Sequence, residues 1–265
     1  MSVPNSKGRD ITVRIEALSK RLDVTPFEVK VLEREIDKLV AVDAAEAYML
    51  GGMLAATTGK RDESKVLHEK SLRLLTGVVS YFNYGVSMKT VGNLTLANEL
   101  FEKAAELVPG DSQVFKHRLQ TLAFLLDYEE FETVVDKVKR SGPPFDVDEL
   151  RPVIEAREFI RQVSDLGISL AQLKKVGLHL QHVLLQCDLN VSQILERISH
   201  FDGVSHVYVE ASVDATDAKQ LVDVNERLMD LILEDPSIDD WDRIVVNIVR
   251  RDYQQERLNL EHSAA

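Results

Sequence analysis

Apolar residues in this chain follow two regimes. From residue 11 to residue 178 they recur three and four positions apart, the spacing of helices that bury one face. Beyond that point the pattern changes. HLQHVLLQCD (179–188), VSHVYVEASVD (204–214) and DRIVVNIVRR (242–251) are rich in valine, leucine and isoleucine and predict strands; in the second, Val204, His206 and Tyr208 alternate with Ser205, Val207 and Val209. Between them, NVSQILERISHF and DATDAKQLVDVNERLMDLILED keep helical spacing, the latter apolar at Leu221, Val224, Leu228 and Ile232 and capped by Asp214 or Thr216. The expected order is β-α-β-α-β, a small three-stranded sheet with helices on at least one face. YQQERLNLEHSAA reads as a short terminal helix or a frayed tail.

Helix stops and starts divide the chain. Thr25, Pro26 and Glu28 form a helix start: a cap, a proline in the first turn and a capping-box carboxylate. SGPPFD (141–146) breaks the helical array, and LRPVIEAREFIRQVSDLG and SLAQLKKVG are expected to end at Gly167 and Gly177. The resulting segments are an N-terminal helical part (1–44), a helical array (45–146), connecting helices (147–178), a small α/β module (179–253) and a tail (254–265).

Within the array, Tyr81, Gly85, Met88, Gly92, Ala97, Phe101, Ala104 and Pro109 form a spaced set of aromatic, small and turn residues. A step back of 33 residues finds Tyr48, Gly52, Ala55, Gly59, Ser64 and Ser71, with His68 in place of the aromatic. A step forward of 34 finds Phe115, Leu119, Leu122, Tyr128, Phe131, Val135 and Val138, without the glycines. Small residues belong where helices cross closely and large ones where the pair leaves a gap. Residues 45–142 therefore resemble three tetratricopeptide repeats, helix–turn–helix units of about 34 residues that bury their apolar faces only against neighbours. The fold class expected is mainly α: a tetratricopeptide-like α-solenoid of three helix pairs with an N-terminal helical cap, followed by the small α+β domain.

That resemblance implies a groove lined by the first helix of each unit: Met49 and Met53, then Phe82, Asn83, Val86 and Lys89, then Gln113, Lys116, His117 and Gln120. Flexible methionines suit a surface that repacks around a partner. The family's clamp for a C-terminal carboxylate is matched only at Asn83; Met49, Met53, Gln113 and His117 hold its other four positions. The stretch IEALSKRLDVTPFEVKVLER also resembles a helix-turn-helix of the sigma-factor C-terminal type, with Leu18, Ser19, Leu22, Val24, Val29 and Leu32 as its packing positions. On that likeness Phe27, Lys30, Val31 and Arg34 would face DNA, with Lys20 and Arg21 near the backbone. Glu28, Glu33 and Glu35 oppose it, and capping the first repeat is the other use of these helices.

Charge narrows the choice. The formal net charge is −12, with residues 1–40 at +1, so a broad nucleic-acid surface is disfavoured. The single cysteine, Cys187, is expected to fill core space and leaves no internal disulfide or zinc set. No run approaches the roughly 18–20 apolar residues of a membrane span, and MSVPNSKGRDITVRIE lacks a signal-peptide core, so a cytoplasmic protein is expected. No glycine-rich phosphate loop and no G-x-S-x-G elbow occurs. His179 and His182 would point to opposite faces of a strand, and the acidic run EDPSIDDWDR (234–243) reads as a solvated loop pinned by Trp241, its alternative being a Mg²⁺ site with Arg243. No catalytic residue, metal or cofactor is expected. The expectation is an adaptor that binds a protein or peptide in the groove, while the α/β module binds a second partner or makes a homo-oligomer. The alternatives are a DNA-associated regulator reading through residues 11–38 and an enzyme or nuclease-like activity in the C-terminal module.

Overall fold

The computed structural model describes residues 7–21, 23–213 and 217–250, and the chain forms two compact units, Met1–Val114 and Phe115–Ala265. Leu22, Asp214, Thr216 and the segment 253–265, which carry some of the sequence expectations, lie outside the described residues. The protein is mainly helical, with a small three-stranded sheet after the helices. No helix among the described residues is long and apolar enough to cross a membrane.

The first unit holds α1 (Lys7–Ser19), α2 (Pro26–Leu39), α3 (Ala44–Thr57), α4 (Arg61–Leu74), α5 (Val78–Thr90) and α6 (Leu94–Leu107). Thr25 caps α2 in a full capping box with Glu28, and Pro26 takes the first turn. Ile11, Ile15 and Leu18 of α1 pack with Leu32, Ile36 and Leu39 of α2 onto Ala47, Leu50 and Leu54 of α3, so the two N-terminal helices cover the edge of the hairpin that follows.

The α3–α4 and α5–α6 hairpins repeat one geometry 33 residues apart. A Cβ on Gly52 would sit 2.5 Å from the His68 ring, and one on Gly85 would sit 2.7 Å from the Phe101 ring. Each glycine thus lets an aromatic ring from the second helix rest on the backbone of the first. Lys70 lies 5.6 Å from the Tyr48 ring centroid and Lys103 lies 5.9 Å from that of Tyr81, the same pair one step on. Ala97, Phe101 and Ala104 are fully buried along α6, which ends two residues before Pro109. The small residues of the first hairpin are polar: Ser64 Oγ donates to the Gly52 carbonyl at 2.8 Å and Ser71 Oγ to the Ala45 carbonyl at 2.7 Å, which satisfies their hydroxyls inside the pair.

The second unit begins in α7 (Ser112–Phe124) and continues with α8 (Tyr128–Arg140), α9 (Arg151–Asp165), α10 (Leu170–Gln186), β1 (Val191–Phe201), β2 (Val204–Val213), α11 (Ala218–Glu234) and β3 (Ile244–Arg250). The turn into α8 matches the two earlier ones: Lys60 N–H bonds the Ala55 carbonyl, Asn93 N–H that of Met88 and Asp127 N–H that of Leu122, at 2.9, 2.8 and 3.0 Å. These are the six-to-one bonds of a helix C-cap whose preceding residue is left-handed. Gly59 and Gly92 supply that conformation at φ 75°, and Leu126 takes it at φ 53° although it has a side chain. Full burial of Leu126 holds the third turn in place.

The C-terminal order is β-β-α-β, not β-α-β-α-β. Residues 179–188, expected as a strand, continue α10, whose buried positions Leu173, Val176, Leu180, Val183 and Leu184 keep helical spacing through Gly177. Residues 191–201, expected as a helix, form β1, which pairs antiparallel with β2 through the two-residue turn Asp202–Gly203 at φ 50° and 78°. A bulge between Val191 and Gln193 shifts the register, so Val191 and Ile194 are both buried despite their odd separation. That spacing imitated a helix. Asp217 caps α11 by accepting from Gln220 N–H, in place of Asp214 or Thr216. The helix returns the chain to β3, which runs parallel to β2. Asn225 of α11 forms a double bond pair with β3, donating to the Ile248 carbonyl at 2.9 Å and accepting from its N–H at 2.8 Å, which closes part of the sheet edge.

Residues directly opposite on paired strands share a face. Ile194, Glu196 and Ile198 of β1 therefore lie with Val207, Val209, Ala211 and Val213 of β2 and with Ile244, Val246 and Ile248 of β3. The four β2 residues are fully buried, so this is the core face. Glu196 is the acidic residue on it.

Candidate functional site

Two places collect side chains with binding chemistry, one in each unit. In the first unit, the face shared by α3 and α5 carries six of the ten groove positions. Asn83 Nδ2 lies 3.2 Å from Met49 Sδ, which brings the two helices' groove residues together. Met53 packs partly on the N-terminal core, and Phe82 and Val86 pack partly on the α5–α6 core, with Phe82 tilted against Phe101 at 5.8 Å between centroids. Lys89 is half-buried, and burial pushes its ammonium down to about 8. The other four positions lie along α7. Gln113 is exposed at its start, Lys116 and His117 are partly buried, and Gln120 is exposed within the second unit.

The four cations of the helix-turn-helix likeness are exposed, but two are already engaged by acids beside them. Arg21 binds Asp23 at 2.9 Å and Glu28 at 2.7 Å, and Lys30 binds Glu33 at 2.8 Å. The Arg21 guanidinium draws the Glu28 carboxyl down to about 2. Phe27 is largely exposed and Val31 half-buried, while Lys20 and Arg34 project from α1's end and from α2.

The acidic run and His179 serve packing. His179 Nε2 lies 2.8 Å from Asp235, whose carboxyl Ser237 and His179 together hold below the usual range. Gln172 and Asp240 exchange two bonds, at 3.1 and 2.9 Å, and Arg243 donates to the Leu166 carbonyl at 2.8 Å. These contacts fix the loop onto α10 and the C-terminal end of α9. Trp241, expected to pin it, is half exposed, and Ile238 is the buried residue there. His182 shares α10 with His179 but is exposed, and no group of three His, Cys, Asp or Glu among the described residues could hold a metal ion. Cys187 is only partly buried, 3.8 Å from Arg227 Nη1, so it caps α10 instead of filling the core.

The second place was not among the sequence expectations. In the second unit, α7, α8, α9 and β1 enclose a cleft of about 550 Å³. Its apolar wall includes Phe124, Phe159 and Ile194, and its polar lining includes Gln120, Arg151, Glu155 and Glu196. Tyr128, buried between Phe131 and Phe159, donates its hydroxyl hydrogen to Glu196 Oε1 at 2.9 Å. Burial pushes the Glu196 carboxyl up to about 7, although the Tyr128 hydroxyl favours the charged form. The same burial, and then the neighbouring carboxylate, raise the Tyr128 phenol well above its ordinary value. Arg151 Nε pairs with Glu155 at 2.7 Å near the opening. With NVSQILERISHF read as a helix, Glu196 fell on no particular face; the Asp202–Gly203 hairpin signal would have placed it on a strand, two residues from Ile194 and Ile198.

No protein-family model, no curated protein and no solved structure matches this chain.

Proposed function

We propose that the protein is a non-enzymatic interaction scaffold of the tetratricopeptide type, whose α3–α5 face grips an extended or helical segment of a protein partner. The observation that carries this reading is the 33-residue repeat of contacts, Gly52 with His68 and Gly85 with Phe101, which sets α3 beside α5 and joins Met49 to Asn83 across them. Packed hairpins of this kind present a row of first-helix side chains to one side. Affinity would come from covering the apolar parts of Met49, Met53, Phe82 and Val86, with Asn83 fixing register through its carboxamide. The methionines adapt to the partner's shape. Lys89 has a lowered ammonium pKa and so gives up its charge more readily than a surface lysine.

The test is affinity purification from the native host, read against the double variant Met53→Gln, Phe82→Gln. A partner that binds through this face is expected to lose at least roughly tenfold in affinity, since each buried apolar anchor contributes about 1–3 kcal/mol. Helical circular dichroism should be retained, because both residues are only partly buried. Undiminished capture of every partner by the folded double variant would refute the reading.

A further inference from the structure

We propose that the cleft between α7, α8, α9 and β1 is a binding site for a small organic cation, a primary amine on an apolar body, with the Glu196 carboxylate as its counter-charge. Three observations carry this. The cleft is about 550 Å³, within the range of roughly 300–1,000 Å³ typical of small-molecule sites. Its carboxylate lacks a cationic partner: no lysine or arginine pairs with Glu196 among the described residues, and Arg151, the cation among the described lining residues, is bound to Glu155. The hydrogen bonds of Glu196 are few: the Tyr128 hydroxyl meets one oxygen, and the Glu196 backbone N–H supplies the other bond to the carboxyl. A carboxylate in an apolar face with no cation paired to it is costly to ionise, and an ammonium group supplies the missing charge.

The walls suit the rest of such a ligand. Phe124, Tyr128 and Phe159 offer aromatic surface, which attracts both an apolar chain and the positive group it carries. An anionic ligand would instead meet Glu155 and Glu196 together. This site lies within the second unit and owes nothing to the partner-binding face of the first.

Binding is linked to a proton. The free Glu196 carboxyl is raised to about 7, so near neutrality much of it is protonated. Placing an ammonium beside it stabilises the carboxylate, and the proton leaves to solvent: the acid O–H breaks, and the ammonium keeps its own protons. The groups facing Glu196 are Tyr128 from α8 and Glu155 and Arg151 from α9. The Tyr128 phenol and the Arg151 guanidinium are both raised above their ordinary values and stay unchanged through this window. Affinity for the amine should therefore climb with pH up to about 7 and level off above it.

Isothermal titration of the full chain with 4-phenylbutylamine and with its neutral isostere 4-phenylbutan-1-ol, between pH 5.5 and 8.5, tests this. The expected result is amine binding that strengthens by up to about tenfold per pH unit below neutrality, with proton release measured in buffers of different ionisation heat. The alcohol should bind at least tenfold more weakly at pH 8. Glu196→Gln should abolish the pH dependence and the preference for the amine, and Tyr128→Phe should leave that preference in place. Equal binding of amine and alcohol, pH-independent amine affinity in the wild type, or no amine binding at millimolar concentration would each overturn the proposal. The wild-type pH profile keeps the test decisive even if Glu196→Gln fails to fold.

Discussion

Gly177→Ala is expected to destabilise the second unit by about 2–3 kcal/mol or more, read as a lower urea midpoint. The substitution looks favourable from sequence, since alanine in a helix interior is better than glycine by about 1 kcal/mol. Packing reverses that sign. A Cβ at Gly177 would sit 2.0 Å from the Leu125 carbonyl oxygen and 2.6 Å from its carbonyl carbon. Both are backbone atoms, so no flexible side chain can yield. They belong to the turn in which Leu126 is left-handed at φ 53° and fully buried, and in which Asp127 N–H is bonded to the Leu122 carbonyl. Either α10 lifts away or the turn deforms, and both lose buried contacts. Lys175→Ala, at an exposed site on the same helix, should change the midpoint little. A midpoint for Gly177→Ala at or above the wild type would show that α10 does not approach Leu125 this closely.

Acidification is expected to weaken the first unit through His68. This ring is almost fully buried, stacks on Tyr84 at 4.8 Å and shares a 2.8 Å hydrogen bond with Ser87. Burial pushes its pKa down to about 3, whereas an unfolded chain titrates near about 6.5. Between these values the unfolded state binds a proton that the folded state refuses. Stability is therefore complete above about pH 6.5 and falls by up to about 1.4 kcal/mol per unit as pH drops toward 3. Carboxylates titrate in part of the same range, so the informative quantity is a difference. His68→Phe with Ser87→Ala places at residue 68 the ring that the next hairpin carries at Phe101 and removes the hydroxyl that would lose its partner. The double variant should follow the wild type above pH 7 and show a shallower loss between pH 6.5 and 4.5 in denaturation midpoints. Parallel pH profiles for the two proteins would rule out His68 as the acid-sensitive group.

The same contacts explain which elements could be read in advance. The turns after α3 and α5 are local: Gly59 and Gly92 supply a left-handed residue, and Asn93 accepts from Leu96 N–H to start the next helix. Gly52 and Gly85 are visible because small residues at close crossings recur with the repeat. The third turn keeps its shape with Leu126, a choice that only burial explains. In the C-terminal part, helical spacing at Val191, Ile194, Leu195 and Ile198 misled because a bulge and one charged core residue broke the alternation of β1. Gly177 likewise marked a close approach, not a helix end. The approach of Met49 to Asn83 across α3 and α5 was legible, since helix phase sets both positions. The cleft was not, because Tyr128, Glu155 and Glu196 come from three elements and meet only once the strand is in place.

The sequence by itself determined the paired helices of residues 44–107, the capping box at Thr25, and the strands at 204–213 and 244–250. In each, the deciding interactions lie within one turn, one hairpin or one run of alternating residues. Tertiary structure alone decided that α10 runs on through Gly177 and that Glu196 lies beside Tyr128 at the wall of a cleft. Those outcomes depend on which backbone and which buried face arrive from distant parts of the chain, and local spacing carries no record of that.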